Sequence, residues 1–258
     1  MTRLGMGLCS GLAVAAASAM LAAGANAAAP DFGRCVKVAK GTGAYATGNC
    51  TTTVGVYKNF DWISGPGPNP QFTITVKAEE KHLFYFEGLS SKAKIGCLEA
   101  TATGEVTGPK TIGPISPFEW KGCEAGGIGP ENKLVPVEVG AGVLGVWQEG
   151  ETPLKNKLGL EFVSLTSDFY FTGHAVHIEL DGDVIGKITG NNSMTLAKKL
   201  EFASNPKAKP VKQIPDRFVG EPPVAVTMTV NSGTPEGAVI VFRSTITFAE
   251  KMEINSVA

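Results

Sequence analysis

What this sequence lacks narrows its options. Net charge is almost missing, with 23 basic against 24 acidic residues. A near-neutral chain without a clustered basic face has no electrostatic footprint for nucleic acid, whose phosphates demand one. No apolar stripe of helical period is long enough to cover a sheet. No serine sits in a glycine-flanked elbow, and Ser91-Lys92-Ala93-Lys94 matches a serine-lysine spacing without the helix such a nucleophile needs. No two cysteines stand at the two-residue gap of a structural zinc site. The residues therefore call for no cofactor.

What is present begins with a leader. One cation, Arg3, precedes an apolar run through Leu8, Leu12, Val14 and Leu21 that closes on Ala25-Asn26-Ala27. That order predicts a secretory signal peptide over residues 1–27, cut after Ala27. The run is alanine-rich and has no charged stop-transfer flank, so no membrane span is expected in the mature chain, 28–258. Arg3 departs with the leader and leaves 22 basic against 24 acidic residues over 231 positions, enough for one large secreted domain. The expected location is outside the cell or at its envelope.

Four cysteines remain after cleavage: Cys35, Cys50, Cys97 and Cys123. An even number in an exported chain predicts two disulfides, with three possible connectivities. The local pairs Cys35–Cys50 and Cys97–Cys123 are favoured, because each closes a short segment rich in turn residues.

The remaining pattern is strand and turn. Phe72, Ile74 and Val76 alternate with Thr73, Thr75 and Lys77; Val224, Val226 and Met228 do likewise, and so do Ile240, Phe242, Ile246 and Phe248. Phe169–Thr189 reads as a central hairpin, with Asp181-Gly182 supplying a tight turn. Met194–Phe202 is ambiguous between strand and short helix, and residues 203–223, rich in Pro and Lys, read as an irregular surface connection. About a dozen short strands with recurrent turn signals predict an all-β fold, an antiparallel sandwich or partly closed barrel.

Few residues suggest chemistry. His174 and His177 are spaced to share a metal on a helix, but a strand sends them to opposite faces. His177, Glu179 and Asp181 do share a face and are the weak metal candidates, set against a plain solvated strand. Seven glutamates, Glu99, Glu105, Glu119, Glu124, Glu138, Glu161 and Glu179, are available to a glycosidase, yet their spacing singles out no pair. Tyr57, Trp62, Trp120 and Trp147 could form a sugar-stacking platform or fill a core.

Several phrases carry a resemblance: GRCVKV from Gly33, GEVTGPKT from Gly104, KGCE from Lys121, GDVIGKI from Gly182 and KMEIN near the end. Together they resemble a set of exported, strand-rich proteins of actinobacteria with no assigned activity. The resemblance implies export and a β fold and carries no catalytic residue. Members of that set often hold further cysteines, one after Cys123 and one near Thr172; this chain has neither. The expectation is a secreted, disulfide-stabilised, non-enzymatic binding or structural module. Its partner would be an envelope polysaccharide or another surface protein. A carbohydrate-binding module or glycoside-active enzyme is the alternative.

Overall fold

The computed structural model describes residues 30–77, 84–126, 128, 135–171, 176–205, 207–209 and 211–256. The leader, its cleavage site and His174 lie outside them. Every described element but one turn of 3-10 helix at Pro153–Lys155 is a strand, and all the strands join into one sheet. No helix among the described residues is long and apolar enough to cross a membrane.

Eight strands close a barrel. They are β3 (Gln71–Lys77), β6 (Glu99–Val106), β7 (Thr111–Ile115), β10 (Ala141–Gln148), β11 (Lys157–Phe171), β12 (Val176–Thr189), β13 (Thr195–Asn205) and β16 (Glu236–Asn255). Each pairs antiparallel with the next, and β16 returns to β3. Met194–Phe202, ambiguous in sequence, is thus largely strand. The strands are also longer than the turn signals suggest: β11, β12 and β16 have 15, 14 and 20 residues.

Long strands outrun their first partners and take second ones. β6 pairs with β7 near Val106 and with β8 (Phe118–Lys121) near Glu99. β11 passes from β10 to β9 (Val135–Glu138), and β12 from β13 to β15 (Val226–Val230). β16 passes from β13 and β3 to β15 and β4 (Phe84–Gly88), and β4 in turn carries β5 (Lys94–Cys97). Each fork lets a continuous strand change neighbours without losing its ladder.

The fork in the central hairpin corrects the sequence reading. β11 and β12 do pair along nearly their whole length, from Leu158↔Ile188 to Phe171↔Val176. The hairpin expected about Asp181-Gly182 is absent: Val176–Thr189 is one continuous strand, β12, and both residues sit inside it, opposite Thr166 and Leu165. The ladder slips there between Phe162 and Leu165, with Ser164 at φ +55° and Gly182 at φ +127°. Asp183 Oδ1 secures the bulge by accepting the Ser164 N–H at 2.7 Å. The extra residue flips the inward parity of β11, so that Leu158, Leu160 and Phe162 hand over to Leu165, Phe169 and Phe171, all buried.

Those inward residues fill the barrel. Trp120, Phe242, Phe202, Phe162 and Phe118 form a closed cycle of ring contacts, with centroids 4.3–6.0 Å apart. Phe86 and Phe169 extend it toward the far end. The tilted and edge-on geometry suits the aromatic quadrupoles, and the burial accounts for much of the apolar driving force.

The remaining pieces clamp the outside. β1 (Asp31–Lys37) pairs with the end of β16 and with β2 (Phe60–Ser64). Disulfides join Cys35 to Cys50 and Cys97 to Cys123, the local pairs. The connection at 203–223 is less irregular than its prolines imply. It starts inside β13, adds β14 (Lys212–Ile214), and lays Phe218 over Gly145, whose absent side chain leaves room for the ring.

The bulge yields a test. A Cβ on Gly182 would lie 2.2 Å from the Ala225 carbonyl oxygen, on a backbone of positive φ. Gly182→Ala is expected to destabilise the fold by about 3 kcal/mol, from strain and displaced backbone together. In a thermal melt that is a fall of roughly 10 °C.

Candidate functional site

On the outer surface of the barrel, one face has an unusual order. β16, β3 and β6 each contain threonine, an inward apolar residue and threonine: Thr245-Ile246-Thr247, Thr73-Ile74-Thr75 and Thr101-Ala102-Thr103. Ile74, Ala102 and Ile246 are buried, so the six threonines face out. Register aligns them in two rows, Thr245↔Thr75↔Thr101 and Thr247↔Thr73↔Thr103. Sheet geometry spaces such hydroxyls about 4.8 Å across strands and about 6.8 Å along them. Ser116 prolongs the second row, its Oγ accepting the Thr103 N–H at 2.8 Å and bonding the Thr103 hydroxyl at 3.2 Å.

Two open hollows border the array. One of 630 Å³ is lined by Thr73, Thr103, Ser116 and Thr247, with Gln71 and Glu105 at its rim. The other, of 560 Å³, runs from Thr75 and Thr245 to Lys77, Lys199, Glu201 and Arg243. Charge is confined to the margin, where Arg243 Nε meets Glu201 Oε1 at 3.2 Å. The centre is a neutral lattice of hydroxyls and methyls, each hydroxyl able to donate and accept.

The residues nominated from sequence are placed differently. His177 and Glu179 do face outward from β12, but His177 Nε2 bonds Asp168 Oδ1 on the neighbouring strand at 2.5 Å, while Glu179 stands off at 3.8 Å. Asp181 lies at the fork opposite Thr166. Among the described residues no three His, Cys, Asp or Glu side chains converge to hold a metal ion. The four aromatics do not share a surface. Trp120 is only 2% exposed and belongs to the core cycle. Trp147 donates its indole N–H to the Leu158 carbonyl beneath Lys157 and Lys187, and Trp62 packs over Gly33. Tyr57 alone is well exposed, on a loop.

Three ionisable groups, Glu161, Lys198 and Glu253, are perturbed in ways the sequence did not announce. Glu161 is held above the ordinary carboxylate range by burial first, then by repulsion from Asp183 and Glu221. Lys198 occupies an inward position of β13, 1% exposed, and its ammonium donates to the Gly190 carbonyl at 2.5 Å and to that of Ser193. Burial lowers its pKa to about 8, against a smaller opposing pull from Glu253. Burial in turn raises Glu253, against the Trp62 indole and Lys198.

No family model matches the chain, and neither a curated protein nor a solved structure matches it.

Lys198 sets a pH dependence whose sign is fixed. Its proton is held less tightly in the folded chain than in the unfolded one, so between about pH 8 and 10.5 the unfolded chain carries the excess proton. The cost of the buried charge is present in full below pH 8 and is lost as pH rises to 10.5. Relative to Lys198→Met, the wild type should gain stability across that window by on the order of 3 kcal/mol. Urea midpoints of both proteins, compared at pH 7 to 10.5, measure that difference.

Proposed function

We propose that this protein is a non-catalytic binding or structural module working outside the cell or at its envelope, with the threonine face of β16, β3 and β6 as its binding surface. The leader ending at Ala27 supports export, and two disulfides suit an oxidising compartment. The observation that carries the reading is the registered pair of threonine rows. Threonine suits any wet strand, but three neighbouring strands presenting it in step make a repeating surface.

Such a surface fits a repeating, hydroxyl-rich, uncharged polymer, which points to an envelope polysaccharide. Each contact is a modest hydrogen bond, and affinity accumulates along the polymer. The open shape of the two hollows suits an extended chain rather than an enclosed small molecule.

The test is retention on insoluble polysaccharide from the producing cell's envelope. Replacing one full row, Thr245→Val, Thr75→Val and Thr101→Val, removes three hydroxyls while keeping shape and strand preference. Retention should fall about tenfold or more, with the melting temperature within a few degrees of wild type. Equal retention of both proteins, or none of either, would contradict the proposal.

A further inference from the structure

We infer that the loop Thr51–Tyr57 docks on an anionic phospholipid bilayer, inserting Val54 and Val56 while the surrounding lysines lie against the headgroups. This goes beyond the threonine-face reading and uses a different part of the molecule. Val54 and Val56 are 84% and 89% exposed, the most exposed large hydrophobic residues among those described, and Tyr57 beside them is 53% exposed. Apolar side chains this exposed and this close together on a soluble surface mark an interaction site.

The loop is built to hold them out. Cys50 at its root is tied to Cys35, and the Ala46 N–H reaches the Thr52 carbonyl at 2.7 Å. Below the tip, Asn59 and Phe60 both donate to the Tyr45 carbonyl, and the Gly43 N–H reaches Lys58. A loop pinned at its base loses less conformational freedom on docking.

The occupant is indicated by charge. From Phe32 to Phe60 the chain carries Arg34, Lys37, Lys40 and Lys58 and no carboxylate. The flanking acids are engaged: Asp61 Oδ1 accepts the Ala44 N–H at 2.6 Å, and Asp31 accepts the Ser64 hydroxyl at 2.7 Å. Lys40 lies 3.9 Å above the Tyr57 ring, placing a cation over the amphipathic aromatic. Apolar tips next to a lysine–tyrosine pair match the interfacial zone of a bilayer, where acyl chains meet anionic headgroups. Charge alone would also suit an acidic protein surface; the two neighbouring, exposed valines favour a bilayer, which takes up an apolar tip and offers anionic contacts together.

Co-sedimentation tests it, using the protein as recovered from its producing cell, so that wild type and variants share one N-terminus. Vesicles of phosphatidylglycerol and phosphatidylcholine in equal parts should bind wild type, and vesicles of phosphatidylcholine alone much less. Val54→Ser with Val56→Ser should reduce binding about tenfold or more, and Lys40→Gln with Lys58→Gln by a similar factor. Val54, Val56 and Lys40 are exposed and Lys58 is half-buried, all outside the strands, so the melting temperature should stay within a few degrees of wild type. The threonine-row variant should bind vesicles like wild type, and the loop variants should keep polysaccharide retention, which separates failure of one idea from failure of the other. The inference is overturned if wild type ignores the anionic vesicles, binds both compositions equally, or binds as well without its two valines. Saturable capture of a protein through this loop in the absence of lipid would also overturn it.

Discussion

The contact on which the rest of this structure depends is the closed aromatic cycle of Trp120, Phe242, Phe202, Phe162 and Phe118. Its members come from β8, β16, β13 and β11, so one packed unit holds strands from both sides of the forks. Phe162 stands at the β11 bulge, and Phe242 where β16 passes from β4 to β13. Strands that change partners bend at the change, and a bent strand needs a filled interior beneath it. The cycle supplies that filling.

A solid core has a functional consequence. A barrel of eight strands is just wide enough for side chains to fill or for one small ligand to occupy, and here side chains fill it. On the outside, two surfaces differ in kind. The threonine face is neutral, ordered and shallow. The Thr51–Tyr57 loop is apolar at its tip, with Lys40 and Lys58 beside it, and a disulfide ties its root at Cys50 to Cys35. The first is proposed to meet a polymer of hydroxyls and the second a charged bilayer, and both proposals place the protein at an envelope.

Much of the fold was legible because period-two alternation survives in β3, β12, β15 and β16, and because an even set of cysteines paired locally. Other features were not. Asp181-Gly182 tolerates positive φ equally well in a hairpin turn and at a strand fork, and only the pairing of Leu165 with Gly182 tells them apart. The threonine array was hidden for a related reason. Its strands lie far apart in sequence, so their three threonine pairs become one surface only through register. Lys198 breaks the apolar pattern of β13 at a position that proves inward, its charge satisfied by carbonyls from the loop before it. Trp120, grouped with other aromatics by type alone, was a core residue throughout.

That one core supports both sides of the forks is tested most directly by amide hydrogen exchange on Phe242→Ala. Truncating a buried phenylalanine in such a core costs about 3–5 kcal/mol. Protection is predicted to fall by the same free energy in β7 and β10 on one side and in β8 and β9 on the other, because all unfold with the shared core. Loss of protection on one side alone would contradict the account and divide the barrel into independent halves.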